Sequence, residues 1–442
     1  MNFKVIFTDR ENVLYQYVVL IKWLIISVFS GAVIGVVGSL FHIGLDKVTE
    51  IRMDNPYFIL FLPFGGLIIV WLYKLCKMED DKGTNNIIMG ARGETSVSIK
   101  TAPLIVAATL ITHLLGGSAG REGAALQLGG SLIAPLRKPM RLNRNDYSML
   151  IMCGMSAGFS ALFGTPAAAA IFAIEVTVVG MTHYSAIVPC LLSSLTAAMV
   201  ADKLGVHPTA FLVRYVPHFS SDSYFMVART VILGIAGAVV SIIFCKVMSK
   251  VSSLYKKHFP NAYLRVFVGG MIVAVMSLII YLLTGSFDYN GAGTDVISLA
   301  FIGQSRPEAF IIKIILTALT LGAGYKGGEI VPSIFIGATF GCFFGGLLGF
   351  SNSFGAAVGV AAVFCGVTNC PFASLILAVE LFGADGLPYY ALAIGISYML
   401  SGYTGLYSAQ KFYDNKFIHR RFRHIRTYKE IKLASRKTDK QK

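Results

Sequence analysis

Long apolar runs alternate with short polar breaks along this chain. The stretches 18–40, 58–75, 104–115, 224–247 and 266–283 are mostly apolar. Several approach the ~20 residues a helix needs to cross a hydrocarbon core, and others are too short to cross alone. A charged stretch at 4–11 leads into the first run without a small-residue cleavage site, so that run reads as a first span and not as a removable signal. The pattern predicts an all-α polytopic membrane protein.

Comparing the chain with itself sharpens this expectation. Gly154 is followed by Pro166 and Glu175, and Gly359 by Pro371 and Glu380, with intervals of twelve and then nine residues in both cases. Upstream stand two glycine-rich entries, GREGAALQLGG from Gly120 and GEIVPSIFIGA from Gly328, with Gly129 and Gly337 each nine residues on. The chain is thus two halves related over roughly 205 residues. Repeated hydrophobic halves are typical of secondary transporters, whose ion site lies at the repeat interface where interrupted helices meet. Pro166, Pro332 and Pro371 then mark helix restarts, because proline suits the first turn and breaks an interior. The expected organisation is an N-terminal segment (1–14), a first repeat (15–202), a connecting loop (203–223), a second repeat (224–410) and a basic tail (411–442).

Composition excludes a soluble domain: 55% of the 442 residues are hydrophobic and 14% charged. The net charge of +15 is concentrated in the tail, where twelve Lys and Arg face Asp414, Glu430 and Asp439. Beside a final span such a tail is a positive-inside signal and not a nucleic-acid surface, which puts the C-terminus in the cytoplasm. The seven cysteines lack metal or redox spacing, and no cofactor is expected.

The candidate chemistry gathers at the entries. The run GGSAGREG at 116–123 is too rich in glycine for an ordinary span and should launch a short helix over 124–136. The free amides at that helix start, with the helix dipole behind them, favour an anion. Glu122 lies in this first turn and is the sole acid between Glu94 and Asp146. A carboxylate at membrane depth is a functional candidate: ionised it occupies an anion site, and protonated it vacates it. Capping of its own helix is the structural alternative. The second entry offers the amides of Ile330 and Val331 and its own acid, Glu329, which either titrates together with Glu122 or pairs with Lys326. Thr84, Asn85 and Asn86 in GTNNI offer further donors, or form a polar loop. Tyr407 or Tyr403 in GYTGLYSAQ can donate a phenol to the same site, or serve as a tyrosine of the interfacial belt. His113 and His183 have no metal-spaced partner and should pack.

These residues resemble the CLC family of chloride channels and proton-coupled anion antiporters, over about residues 15–415. The GREG entry at Gly120, the Gly-x-x-x-Pro entry at Gly328 and the tyrosine before Ser-Ala at Tyr407 occur in the family's order. The resemblance implies two inverted-topology repeats of broken and half-length helices, a homodimer with a separate pore in each subunit, and Glu122 as the gating glutamate. It further implies an anion path lined by Thr84, Asn85, Asn86, Gly120, Arg121, Gly123, Gly328, Ile330, Val331 and Tyr407. Departures matter as well. The chain reads GTNNI where chloride members carry Gly-Ser-Gly-Ile-Pro, has Ile330 and Val331 where an aromatic is usual, and adds Glu329. In LGVHPTAF it has His207, or a neighbour, near the place of the family's intracellular glutamate. All of these resemble the bacterial fluoride/proton antiporter branch. The family's cytoplasmic nucleotide-binding modules are not expected, because the tail is too short to form one.

The expected function is fluoride/proton antiport in a bacterial cell membrane, with chloride transport as the alternative within the family. From another class, an intramembrane hydrolase would use Ser118 with His113 or His183. A symmetric repeat argues against the single asymmetric constellation that such an enzyme needs.

Overall fold

Glycine and proline set where the apolar runs break into helices. A computed structural model describes residues 13–207, 211–220, 223–417 and 421–431. The rest of the expected N-terminal segment (1–12), five positions of the connecting loop (208–210, 221 and 222) and most of the basic tail (418–420 and 432–442) lie outside the described residues. The first half comprises α1 (Val13–Asp54), α2 (Leu62–Leu75), α3 (Thr84–Ala91), α4 (Thr101–Leu114), α5 (Glu122–Ile133), α6 (Arg144–Phe163), α7 (Pro166–Glu175) and α8 (Ile187–Lys203). The second half repeats the series as α9 (Tyr224–His258), α10 (Ala262–Thr284), α11 (Thr294–Phe301), α12 (Ala309–Ala323), α13 (Ile330–Leu347), α14 (Asn352–Thr368), α15 (Pro371–Phe382) and α16 (Leu387–Leu400).

Among the described residues six helical segments are long and apolar enough to cross a membrane, and the remaining apolar helices have 10–17 residues. Pro166 and Pro371 stand at the first position of α7 and α15, as their fixed φ and missing N–H favour. One expectation needs correction: the helix after Gly328 is not half-length. α13 runs 18 residues, against 12 for α5. No polar break follows Ile330 until Ser351 and Asn352, whereas α5 is stopped by Pro135, Arg137 and Lys138.

The repeats are inverted. α1 starts beside Lys411, where Gln16 and Lys411 line one groove, and ends at Asp54 on a cavity reached from the opposite face. Its counterpart α9 ends on the tail side, where Lys250 and Leu254 share a cavity with Phe412 and Tyr428. Within each half neighbouring helices pack through glycine. A Cβ on Gly129 or on Gly154 would strike the backbone of the other, and Gly337 and Gly359 stand in the same relation between α13 and α14. Small residues of this kind let helices approach closely where lipid offers no hydrophobic drive to associate.

α7 and α15 make the clearest cross-repeat contact. The Glu175 carboxylate at the end of α7 accepts the N–H groups of Phe372 (3.2 Å) and Ala373 (2.8 Å) at the start of α15. Glu380 at the end of α15 accepts those of Ala167 (2.9 Å) and Ala168 (2.8 Å) at the start of α7. Each helix therefore satisfies the free amides of the other. Among the described residues the helical fold has one β addition. Val178–Val179 (β1) pairs in parallel with Lys411–Asp414 (β2), which pairs antiparallel with Arg421–Thr427 (β3), so the tail begins as a strand bound to the membrane domain.

Candidate functional site

The two glycine-rich entries meet each other. Gly120 and Gly328 form an isolated antiparallel bridge, in which each N–H donates to the other's carbonyl at 2.7 Å. The starts of α5 and α13 thus face one another across the axis that relates the repeats. A Cβ on Gly328 would lie 2.6 Å from the Gly123 nitrogen, and one on Gly123 would lie 2.9 Å from the Gly328 Cα. Only glycine fits, because the obstacle is backbone.

Glu122 is the first residue of α5 and has no exposed surface. Its Oε2 accepts the Arg121 N–H at 3.1 Å, while Oε1 has no hydrogen-bond partner and lies 3.6 Å from Arg121 Nε. A Cβ on Gly120 would come within 3.0 Å of Val331 Cβ, 2.9 Å of Pro332 Cδ and 3.1 Å of Glu122 Oε2. The carboxylate therefore lies over the start of α13. Arg121 turns the other way, with Nη1 3.1 Å from His42 Nδ1 and 3.3 Å from Asp46 Oδ1 on α1.

The bridge also sets the register of the repeat. With Gly120 opposite Gly328, and α5 and α13 starting two residues later, Glu122 corresponds to Ile330 and Arg121 to Glu329. The two carboxylates are not symmetry equivalents. Glu329 opens on the tail-side cavity of about 750 Å³ with Cys245, Lys246 and Tyr407. Lys326 is not its partner: the ammonium lies 4.4 Å from the centre of the Tyr73 ring.

The polar groups of α3 divide between site and scaffold. Thr84 is buried and donates to the Gly123 carbonyl at 3.4 Å, while accepting from Gln127 Nε2 at 3.1 Å. Gln127, one turn into α5, was missed in the sequence, and its Oε1 is buried without a partner. Asn85 instead holds the C-terminal loop, its Oδ1 accepting from the N–H of Ala409 (2.8 Å) and the hydroxyl of Ser408 (3.3 Å). Asn86 donates to Asp81 at 2.6 Å.

Tyr407 is buried and its hydroxyl has no partner. The loop that carries it is fixed on both sides. Leu406 N–H donates to Val367 O at 2.9 Å, and Arg92 donates to Ala409 O at 2.6 Å and Thr177 O at 3.2 Å. Arg92 and Lys411 both pair with Glu94. The hydrogen bond from Arg92, with help from Lys411, holds the Glu94 carboxyl at about 2 against the opposing effect of its partial burial. Tyr403 belongs to the scaffold and donates to Asn415 at 2.8 Å.

The remaining candidates stay apart. Ser118 bonds to Thr317 (3.1 Å) and to the Tyr289 carbonyl (3.4 Å), and His113 donates from Nδ1 to Thr109 O at 3.0 Å, so no Ser–His pair forms there. His183 lines the groove with Gln16 and Lys411 at the tail side. His207 lies on the surface, 3.1 Å from Asp202.

Two cavities approach the crossing of α5 and α13 from opposite faces without joining. The tail-side cavity carries Lys246, Lys250 and Glu329. The far cavity, also about 750 Å³, reaches Arg121 and His113 and is bordered by Arg52, Asp46, Glu50, Asp54, Asp288 and Asp295. Glu122 is buried and lines neither cavity. Inverted repeats, facing helix starts and a buried acid between two vestibules define a membrane protein built around an ion path.

Comparison with known proteins agrees. Residues 64–402 match the voltage gated chloride channel family. A curated relative from Pseudomonas syringae pv. tomato, "Chloride/fluoride channel protein", is 34% identical over 397 residues, covering 88% of this chain and 86% of the relative. The solved structure of a CLC-type fluoride/proton antiporter superposes with a TM-score of 0.84 at 30% identity, covering 89% of this chain and 98% of that one. A slow cyanobacterial Cl-/H+ antiporter shares the fold, with a TM-score of 0.72 at 19% identity and coverage of 86% and 94%. The chain belongs to the voltage gated chloride channel family, the CLC proteins, and is an anion-transport protein of the membrane.

Proposed function

We propose that this protein exports fluoride in exchange for protons and that Glu122 is both gate and proton carrier. One observation carries this: a buried carboxylate with an unpartnered oxygen lies where two helix starts meet, between cavities from opposite faces. Ionised, Glu122 takes the place of an anion before the amides of α5 and α13; protonated, it releases that place. The anion then lies among Thr84, the Gly120, Arg121 and Gly123 segment, the Gly328, Ile330 and Val331 backbone, and Tyr407. Asn85 and Asn86 act from behind, through the Tyr407 loop and Asp81. Glu329, which lines the tail-side cavity, relays protons to it.

Fluoride is the smallest halide and the strongest hydrogen-bond acceptor, so neutral donors suit it. Support comes from a relative of 34% identity named for chloride and fluoride and from a solved fluoride/proton antiporter of 30% identity. The basic tail supports a cytoplasmic C-terminus by the positive-inside rule. The cavity with Lys246 and Lys250 is then the entry that attracts anions, and the carboxylate-rimmed cavity is the exit that gathers protons. The family resemblance adds a homodimer with one path per subunit.

In proteoliposomes, Glu122→Gln should abolish proton movement driven by a fluoride gradient, and continued pumping would remove the mechanism. Fluoride and chloride efflux measured side by side test the substrate. Equal or chloride-favouring flux would make this a chloride transporter of the same family.

A further inference from the structure

Lys313, in the second turn of α12, is the only lysine among the described residues with no exposed surface. Its Nζ donates to the carbonyls of Tyr289 (3.1 Å) and Gly291 (2.7 Å) and stands 4.9 Å from the centre of the Phe335 ring. Two carbonyls and a ring face offer three acceptors, which match the three N–H groups of an ammonium; a neutral amine would direct its lone pair at one of them. Among the described residues no carboxylate pairs with it.

A buried, uncompensated charge is unfavourable. Fastening two carbonyls does not require one, since an amide side chain has donors enough. The position of the ammonium supplies a reason for the charge. Phe335 lies one turn along α13 from Val331, over which the Glu122 carboxylate rests. Ser118, two residues before Gly120, bonds to the same Tyr289 carbonyl as Lys313. The ammonium therefore lies behind the crossing, roughly 10 Å away when one helical turn of ~6 Å is added to the side-chain contact.

We propose that Lys313 is a specificity-determining residue of the ion path, a fixed cation whose counter-charge is the transported anion. It acts through its field and does not touch the ion. The inference rests on the anion-transport function proposed above. At ~10 Å and the effective dielectric of a protein interior, a unit charge changes anion affinity by about tenfold.

The test uses the full chain in proteoliposomes and reads the fluoride concentration for half-maximal efflux, the maximal rate and thermal stability. Lys313→Gln keeps donors for both carbonyls and removes the charge; it should raise the half-saturating concentration about tenfold. Lys313→Arg should stay within about twofold of the parent. A half-saturation in Lys313→Gln equal to the parent's would show that the lysine only fastens the loop. Thr317→Asp, one turn along α12, leaves Lys313 in place and supplies an internal counter-charge. It should weaken fluoride as the glutamine does, and an unchanged value overturns the proposal even if Lys313→Gln does not fold. Absence of anion movement in the parent protein would refute the transport function, which is a separate outcome from a parent that transports and variants that match it.

Discussion

The exchanged caps of α7 and α15 lend themselves to a quantitative test. In Glu175→Gln one carbonyl oxygen remains to accept one of the two N–H groups of Phe372 and Ala373, and the other N–H meets an NH₂ group. The loss is one charge-assisted hydrogen bond, ~1.5–3 kcal/mol, together with a negative charge at a helix N-terminus, ~0.3–1 kcal/mol. For the buried Glu175 the sum is about 2–4 kcal/mol. Glu380 is partly exposed, so water replaces part of what is lost, and about 1–2 kcal/mol is expected. The caps lie at opposite ends of helices of 10 and 12 residues, roughly 15 Å apart, so the double variant should be additive within about 0.5 kcal/mol. Thermal unfolding of the detergent-solubilised protein measures all three variants, with fluoride efflux at low temperature as a control that the gate is untouched. Two single variants that melt with the parent, or a larger loss at Glu380 than at Glu175, would refute the reasoning.

Two further predictions concern the path itself. Gly328→Ala places a methyl group 2.6 Å from the Gly123 nitrogen, in backbone that is hydrogen-bonded and cannot yield. Fluoride efflux should fall to background even in protein that elutes normally on size-exclusion chromatography, and retained flux would mean that the entries are not apposed. Asn85→Ala leaves the Ala409 N–H without its acceptor; a stability loss of about 1 kcal/mol and slower efflux are expected, while Asn85→Asp, which keeps the acceptor, should retain both.

Spacing was the legible part of the fold. The Gly, Pro and Glu positions of the two halves repeat because a broken helix needs glycine for close approach, proline for a restart and an acceptor for its free amides, and few residue types meet each demand. The purpose of the repeated glutamates was not legible, since the amides that Glu175 serves lie about 200 positions away in the chain. Glu122 was legible as an isolated acid in a glycine turn. Its relation to Glu329 was off by one position, because Gly120 and Gly328 are 208 residues apart and set Glu122 against Ile330, whereas Glu329 lies 207 residues on. Asn85 and Asn86 looked like site donors, yet adjacent helical positions point in different directions, so that only Thr84 faces Gly123. Gln127 and Lys313 sit inside apolar runs with no flanking signal, and only tertiary contacts single them out.

The bridge between Gly120 and Gly328 bears on how the molecule moves. Carriers built from repeats commonly rock one half against the other around a central site. Here the halves are riveted at their shared axis by two 2.7 Å hydrogen bonds and interlocked backbone, so a rocking stroke would tear the site it is meant to expose. On the function proposed above, the moving parts are then small ones, a carboxylate and its proton, working inside a frame that stays shut.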